Sequence, residues 1–309
     1  MTRKEKRNNM VENNAIRTVK EEERRQSRRR KFRELKLGSL LAILLVVCFV
    51  LLPIYIMLIT SLTSSVESNN AAFSWWPKLG LTLKSYITAF TRKTAGNNLL
   101  VSLWNTLKIY IPSCIVGVYV SAMAAFAYAK TEFVLKKPMF SILMFSLTLP
   151  NTVGVIASFL LFDKLGWINT VLPLMVPRMM GSIGIIFFLR QFYTGIPDDL
   201  MSAARMDGLG NFGIFVKIML PVSKPALIAQ LVLDFIGGYN QYLEPLLYLQ
   251  DASQYTLQIS LAFFAEAYVQ DWPLRMAGCV IAMTPLLLLY LFAQKHLLSS
   301  MAVTSGLKG

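Results

Sequence analysis

The stretch from Ser202 to Pro221 decides the fold, and it reads Ser-Ala-Ala-Arg-Met-Asp-Gly, then nine residues, then Ile-Met-Leu-Pro. This polar segment lies between two strongly apolar runs, 171–189 and 226–249. Turn-rich loops held by rigid elements are common binding sites. A polar loop of this kind between two membrane spans is therefore a candidate docking surface for a partner.

The composition of the chain is that of a membrane protein. Of its 309 residues, 55% are hydrophobic and only 16% are charged, which is too apolar for an ordinary soluble domain. A helix needs about 20 apolar residues to cross a bilayer, and several runs meet that length. Because lipid offers no partner for unpaired backbone groups, the spans should be helical. The expected fold class is an all-α polytopic membrane protein.

Six membrane spans are predicted, at about 37–61, 99–128, 138–162, 171–190, 224–249 and 276–297. A surface helix is predicted near 256–269, between the fifth and sixth spans. The chain then divides into a basic N-terminal tail at 1–37, a six-span domain at 38–298 and a C-terminal tail at 299–309. With six spans, both termini lie on the same side of the membrane.

The N-terminal tail indicates which side that is. Residues 1–37 hold fourteen Lys or Arg against six Asp or Glu, a net charge of +8. An excess of basic residues beside the first span marks the cytoplasmic side, and such a tail is also attracted to anionic membrane lipid. The tail does not have the aromatic residues interleaved with basic ones that favour a nucleic-acid partner. The termini and the 191–223 segment are therefore expected in the cytoplasm.

Cysteine and histidine usage argues against a metal centre. Cys48, Cys114 and Cys279 all lie in apolar runs without a C-x-x-C pair, so neither zinc nor a disulfide framework is indicated. His296 is the only histidine, and no partner for it is evident in the sequence. We therefore expect no catalytic residue, no metal site and no cofactor bound by this chain.

Two short helices are predicted within the 191–223 segment. Asp198 and Asp199 can cap the first of them, and Gly208 can end it in a left-handed turn. Asn211 can cap a second helix at 212–219. Helical spacing puts four residues on one face of the first helix: Leu200, Ala203, Ala204 and Asp207. The two alanines allow a partner backbone to approach closely, although the same face can equally cover the protein's own bundle.

The pattern Ala-Ala, three residues, Gly, nine residues, Ile-x-Leu-Pro resembles the signature loop of ABC importer permeases. The matching positions are Ala203, Ala204, Gly208, Ile218, Leu220 and Pro221. Asp207 and the run 223–227 resemble the carbohydrate branch of this family, which comprises the maltose-type importers. The run 239–245 resembles the Trp-Asn-x-Phe-x-x-Pro motif that this branch has in its fifth span. The resemblance covers roughly residues 38–309. Ser202 stands where the family has a glutamate, so the contact that this carboxylate makes with the ATPase is expected to be missing.

The resemblance implies a six-span type I permease subunit in a bacterial cytoplasmic membrane. It also implies a second permease subunit, two cytosolic ATP-binding subunits that use ATP and Mg, and an extracytoplasmic sugar-binding protein. The chain has no GxxxxGK[ST] phosphate loop, so ATP hydrolysis is expected in a partner. A sugar or oligosaccharide would cross by alternating access. The residues implied to bind the ATPase are Ser202, Ala203, Ala204, Asp207, Gly208, Ile218, Leu220 and Pro221.

Polar residues of the predicted fifth span are candidates for a translocation path. Ionisable groups inside a membrane usually face a cavity or a partner. Asn240 and Glu244 are four residues apart and are predicted to share a helix face. That face can line the path or can make hydrogen bonds between helices. Tyr239, from the 239–245 motif, and Asn151, from the run Leu149-Pro150-Asn151 that resembles a typical step of the family's spans, complete the candidate set. Arg178 in the fourth span can pair with a carboxylate or contact the binding protein.

Other functional classes fit the sequence less well. An ABC permease for another solute, such as glycerol phosphate or polyamine, is the nearest alternative. An ion-coupled secondary transporter would have paired broken helices in its two halves, and the sequence does not indicate them. A membrane-embedded enzyme would need clustered His, Asp or Cys inside the bundle, and the single histidine argues against it.

Overall fold

The computed structural model describes residues 39–70, 75–94 and 96–306, without the side chains of 69, 70, 151, 152 and 295–306. The predicted basic tail at 1–37 and the last three residues of the predicted C-terminal tail lie outside these ranges. The side chains of Asn151 and His296 also lie outside the description. The chain divides into two compact units, residues 1–57 and 58–309.

The described part of the chain is built from helices, and it contains no β-strand beyond one isolated bridge between Thr94 and Asn97. The α-helices are α1 Ser39–Ser61, α2 Ser65–Asn70, α3 Lys84–Thr91, α4 Leu99–Lys130, α5 Lys136–Ser146, α6 Val155–Lys164, α7 Leu172–Met179, α8 Ile183–Thr194, α9 Asp199–Met206, α10 Asn211–Ile214, α11 Leu220–Val222, α12 Lys224–Tyr239, α13 Leu243–Tyr248, α14 Leu257–Ala267 and α15 Trp272–Gly306. Short 3-10 helices lie at Asn151–Gly154 and Ala252–Gln254, and a π-helical segment lies at Phe215–Met219.

In the first unit, the described residues belong to helix α1, whose side chains are mostly exposed. Leu45 is 72% exposed and Phe49 is 80% exposed. Exposed apolar side chains on a helix are stable in lipid, where the backbone groups bond within the helix.

Helix α4 is the centre of the second unit, and it packs against α7, α8, α12 and α14. Many of its buried residues are small, among them Ser113, Gly117, Ser121 and Ala122. The Ser113 hydroxyl donates to the carbonyl of Ile109 at 2.7 Å, so it is satisfied within the helix. Small residues let neighbouring helices approach closely in a membrane.

The core of the second unit has two parts along α4. The first part joins the beginning of α4 to α12–α15, around Tyr110, Tyr239 and Phe264. The second part joins the end of α4 to α8–α11, around Phe126, Leu189 and Phe215. We call this second end, where α4 finishes at Lys130, the loop end of the unit.

The structure confirms the all-helical polytopic class. Among the described residues, four helical stretches are long and apolar enough to cross a membrane, at Ser39–Ser61, Leu99–Lys130, Leu172–Thr194 and Trp272–Gln294. A bent pair, Asn211–Val222 with Lys224–Tyr239, is a fifth candidate. The last helix begins before the predicted residue 276 and continues to Gly306, beyond the predicted end at 297.

The third predicted span is not one continuous helix. Helices α5 and α6 have 11 and 10 residues, and they are separated by a turn and a 3-10 helix. At about 1.5 Å per residue each is roughly 15 Å long, about half of a hydrocarbon core of about 30 Å. The single helix predicted over 138–162 is therefore wrong, and two half-length helices in series occupy this range.

The fourth and fifth spans are also interrupted. The fourth breaks between α7 and α8 at Gly181, whose φ of 100° favours glycine. There the backbone N–H of Ser182 donates to the hydroxyl of Ser121 at 2.8 Å. Helix α12 ends at Tyr239 rather than near 249. The predicted surface helix is α14, which buries Leu257, Ile259, Ser260 and Phe264.

Candidate functional site

Helix α9 is the first part of the segment singled out by the sequence, and an ion pair fixes its beginning. The ammonium of Lys130 donates to Oδ1 of Asp198 at 2.5 Å and to the carbonyl of Ile196 at 2.6 Å. The prediction that the Asp198 carboxylate caps the helix is wrong, because Lys130 occupies it and no side-chain cap forms. The hydrogen bond from Lys130 and its positive charge hold the pKa of Asp198 below its usual range.

The end of α9 is a left-handed turn at Gly208. The φ of Gly208 is 80°, its N–H donates to the carbonyl of Arg205 at 3.0 Å, and the N–H of Leu209 donates to the carbonyl of Ala204 at 3.0 Å. These two bonds form a Schellman motif, which satisfies carbonyls that the helix leaves unpaired. The prediction that Gly208 ends the helix is confirmed.

The two alanines of α9 lie on different faces. Met201 and Ala204 are buried against the second core part, whereas Ala203 is exposed. Leu200 is 46% exposed and Met206 is 89% exposed. The predicted shared face is therefore wrong for Ala204. The exposed side of α9 also carries Ser202 and Asp207.

The second helix of the segment starts one residue earlier than predicted. Asn211 is the first helical residue of α10 and makes no side-chain cap, so its predicted capping role is wrong. The chain then continues through the π-helical segment into α11. Phe215 and Met219 are buried in the second core part, Ile218 and Leu220 are half-buried, and Pro221 is exposed.

A sharp bend joins this segment to α12. The helical stretch Asn211–Val222 meets Lys224–Tyr239 at 79°, and we call the joint at Ser223 the elbow. Ser223 is fully buried, and its hydroxyl donates to the carbonyl of Met219 at 2.6 Å and lies 3.3 Å from the hydroxyl of Tyr193. The bond to Met219 lies within the segment, whereas the contact with Tyr193 ties the elbow to α8 and helps to hold the two arms at this angle.

A polar cleft of about 770 Å³ lies between α4, α7 and the region in which α12 ends and α13 begins. Its polar lining residues are Tyr110, Ser146, Arg178, Ser182, Asp234, Gln241 and Glu244. Its remaining wall comes from the break between α5 and α6 and from the break between α7 and α8. The helix breaks therefore coincide with the cleft, which is where irregular backbone is tolerated within a membrane bundle.

An ion pair between Arg178 and Asp234 joins α7 to α12 inside the cleft. Nη2 of Arg178 donates to Oδ1 of Asp234 at 2.8 Å and also to the backbone carbonyl of Asp234. The Cζ atom of Arg178 lies 5.4 Å from the ring centroid of Tyr110. Gly238 allows this close arrangement, because a Cβ there would collide with the Tyr110 ring.

The predicted path residues do not gather in one place. Tyr239 is 1% exposed, and its hydroxyl donates to the carbonyl of Ala282 at 2.7 Å. Asn240 and Glu244 do not share a helix face, because α12 ends before Asn240 and Glu244 belongs to α13. Of the two, Glu244 lines the cleft. For Asn151 the structure describes only the backbone, at the start of a 3-10 helix.

Sequence reasoning missed Tyr110 and left the partner of Arg178 open. A signal for the pair was available, since Arg178 and Asp234 each carry a charge within an apolar run. Ionisable groups in such runs pair with one another to lower their cost. Tyr110 gave no comparable signal, because an aromatic residue in a membrane helix is ordinary.

A helical membrane bundle with an exposed helix–turn–helix at one end and a polar cleft between its spans defines a membrane transport subunit. Residues 117–303 match the family described as "Binding-protein-dependent transport system inner membrane component". The chain belongs to this family.

Relatives agree with this assignment over most of the chain. The arabinooligosaccharides transport system permease protein of Halalkalibacterium halodurans is 33% identical over 231 residues, which cover 74% of this chain and 80% of that protein. The sn-glycerol-3-phosphate transport system permease protein of Brucella abortus is 30% identical over 273 residues, covering 87% and 96%. The crystal structure of a bacterial ABC transporter involved in the import of the acidic polysaccharide alginate shares the fold, with a TM-score of 0.71 at 22% identity, covering 84% of this chain and 96% of that one.

The family fixes the general role of the chain. It is a permease subunit of an ABC-type importer, embedded in the membrane, and it works with a binding protein and with other subunits. Its relatives are permeases rather than ATPases.

Proposed function

We propose that residues 199–222, the coupling segment, dock on a cytosolic ATP-binding subunit that hydrolyses ATP with Mg. The observation that carries this proposal is the exposed side of α9 with Leu200, Ala203 and Met206, held in place by the ion pair before it and the Schellman turn after it. An apolar surface presented by a fixed helix matches helix-in-groove recognition. In this arrangement the loop end and both termini lie in the cytoplasm.

The elbow connects this docking surface to the polar cleft. A force on the coupling segment passes through Ser223 into α12, which carries Asp234 and, through it, contacts Arg178 on α7. Movement of the segment therefore changes the position of α12 relative to α7 in the cleft. A partner that binds one position of the segment more tightly shifts the balance between two arrangements of the bundle, as alternating access requires.

The docking proposal is tested with a charge on the exposed face of α9. Met206 is 89% exposed, so Met206→Glu leaves the bundle intact while it puts a carboxylate into the apolar contact. The tagged chain should lose its copurifying ATP-binding subunit. Val269→Glu is the matched control, because Val269 is 57% exposed and lies between α14 and α15, away from the loop end. Retention of the ATP-binding subunit by Met206→Glu would refute the proposal.

The cleft supports a neutral substrate, and we assign to it a sugar or oligosaccharide delivered by an extracytoplasmic binding protein. Its charged lining consists of the Arg178–Asp234 pair and one further carboxylate, Glu244. The net charge is therefore negative, which disfavours a phosphorylated substrate. Hydroxyl groups of a sugar can bond to Gln241 and Glu244. Arabinooligosaccharides and lactose name two of the related permeases.

A second permease subunit completes the cleft in this proposal. Helix α6 and the turn before it expose Val153 at 75%, Ile156 at 74% and Leu160 at 56%. Spaced three and four residues apart, these side chains form one apolar stripe, which follows directly on the break between α5 and α6 that lines the cleft. A sister permease packed on this stripe would close the cleft into a path between two subunits.

The substrate class is tested by uptake into vesicles that contain the assembled importer and its binding protein. A neutral sugar should drive ATP-dependent uptake, and glycerol 3-phosphate should neither be taken up nor compete. Glu244→Gln should reduce uptake of the sugar, whereas Glu266→Gln, an exposed carboxylate on α14 outside the cleft lining, should not. Uptake of glycerol 3-phosphate by the wild type would replace the sugar assignment.

A further inference from the structure

A second cavity, of about 640 Å³, lies at the loop end of the bundle, where α4 ends, α5 begins and α8 approaches its end. Its cationic side chains are Lys136, Lys137 and Arg190, and we call it the basic cavity. Tyr128, Phe140 and Ser141 also line it, with Glu132 at the rim. It is separate from the polar cleft, with which it shares no lining residue.

The basic cavity has more positive charge than its own carboxylate neutralises. Lys136 donates to Oε1 of Glu132 at 2.9 Å and to the carbonyl of Thr131 at 2.8 Å. No carboxylate of the described residues lies within ion-pair distance of Lys137 or Arg190. The cavity therefore presents two positive charges without a counterion from the described part of the chain.

Arg190 is held in a position that suits an anion. Its Cζ atom lies 4.2 Å from the ring centroid of Phe140, so the aromatic face fixes the guanidinium plane. Its Nε–H is shielded from solvent and has no acceptor among the described residues. A shielded guanidinium N–H without an acceptor is unfavourable. The planar fork of the same guanidinium matches a phosphate, so an oxygen-rich anion in the cavity can bind the part of Arg190 that lines it.

The surface next to the cavity is apolar and runs along α5. Met139, Ile142 and Phe145 follow one another at three-residue spacing and are 46%, 66% and 66% exposed. The first turn of α5 contains Lys136 and Lys137 and no acidic residue. A group with an anionic head and long apolar chains would place its head among the basic side chains and its chains along this stripe.

We propose that the basic cavity binds the phosphate of an anionic phospholipid headgroup in the leaflet at the loop end. Lys137 and Arg190 bind the phosphate oxygens, and Lys136 stays paired with Glu132. The site lies beside Lys130, whose ion pair with Asp198 fixes the start of α9. A bound lipid would therefore brace the end of the bundle that carries the coupling segment.

The test is lipid retention by the purified importer in nanodiscs, measured by native mass spectrometry. In discs of mixed phosphatidylglycerol and phosphatidylcholine, the wild type should keep one more phosphatidylglycerol than Lys137→Gln/Arg190→Gln. Its apparent affinity for this lipid should be at least about tenfold higher. Lys84→Gln/Arg92→Gln removes the same two residue types from exposed positions in the α3 region, and it should retain lipid as the wild type does.

Two further arms identify the source of the phosphate and control for folding. Inorganic phosphate added to discs of pure phosphatidylcholine should not raise the melting temperature of the wild type, whereas phosphatidylglycerol should raise it. The charge-keeping variant Lys137→Arg/Arg190→Lys should keep the lipid, which separates loss of charge from loss of fold. The proposal is overturned by equal retention in the wild type and the Gln variant, or by stabilisation through inorganic phosphate alone.

Discussion

The ion pair in the polar cleft offers the sharpest test of how the second unit is held together. Asp234→Asn keeps the shape of the side chain and removes its charge. Arg178 then faces a neutral amide across the 2.8 Å contact in a place where the side chains of Arg178 and Asp234 are only 21% and 16% exposed. The arginine keeps its positive charge, so the variant leaves that charge without a counterion.

The size of the effect follows from burial. Removing one partner of a buried ion pair costs about 3–5 kcal/mol. Here the backbone carbonyl of Asp234 and the ring of Tyr110 still stabilise Arg178, and some water reaches the pair. We therefore expect Asp234→Asn to cost about 2–3 kcal/mol. Arg178→Met should cost a similar amount, whereas the double variant Arg178→Met/Asp234→Leu should cost about 1 kcal/mol or less, since no charge is left unpaired.

The measurement is thermal unfolding of the detergent-purified importer, followed by a thiol-reactive dye. Cys114 is buried on α4 next to the cleft and becomes reactive when the bundle opens, while the exposed Cys48 is replaced by Ser. With a shift of about 2–4 °C per kcal/mol, each single variant should lower the melting temperature by roughly 4–12 °C. Asp163→Asn, at an exposed carboxylate without an ion pair among the described residues, is the control.

Two results would contradict this account. One is a shift for Asp234→Asn no larger than that for Asp163→Asn. The other is a double variant that loses as much stability as the two single variants together, or more, since the cycle would then show no favourable coupling between the charges.

Three further outcomes follow from the backbone and from the loop end. Gly208→Ala should lower the free energy of unfolding by about 1–2 kcal/mol. The cause is backbone strain alone, because the φ of Gly208 is 80° and a Cβ there would meet no atom within 4 Å. Gly210→Ala is the control and should change the melting temperature little, because the φ of Gly210 is −73°. Gly238→Ala would press a Cβ into the ring of Tyr110 on α4 and should cost about 1–3 kcal/mol of stability. The control is Gly237→Ala, which should be tolerated because a Cβ at Gly237 would have no neighbouring atom within 4 Å. The folded pKa of Asp198 is lowered by its lysine partner. The stability that the ion pair contributes is therefore complete above the ordinary aspartate pKa of about 3.9, and it is lost as the pH falls through the lower folded pKa. The rate of proteolysis at α9 should be constant near neutral pH and increase only below about pH 4, and Asp198→Asn should abolish that increase.

The sequence was sufficient where a signal is local. The Gly208 turn could be predicted because only a residue without a Cβ enters the left-handed region at little cost. The apolar runs predicted the rough positions of four spans, those at Ser39–Ser61, Leu99–Lys130, Leu172–Thr194 and Trp272–Gln294, because length and hydrophobicity decide whether a segment can cross a bilayer. Arg178 in the fourth apolar run and Asp234 in the fifth indicated that each charge has a polar partner inside the bundle.

Contacts between distant residues could not be predicted in the same way. Lys130 lies 68 positions before Asp198, and its ion pair replaced the expected helix cap. Hydropathy measures the length of an apolar run and not the continuity of its backbone, so the breaks at 147–154 and at Gly181 gave no clear signal. Ala203 and Ala204 are adjacent and chemically identical, so only the packing of α9 decides which of them is buried.

The elbow has a consequence for the spacing of the residues before it. A helix turns about 100° per residue, and Asn211–Val222 runs through the fixed joint into α12. One inserted residue between Gly208 and the elbow would turn α9 by about 100° relative to α12, so its exposed side would point in another direction even if every side chain were kept. The length of the chain between Gly208 and the elbow therefore sets the direction in which α9 presents its exposed side, and the π-helical segment at Phe215–Met219, with its wider turn, is part of that length.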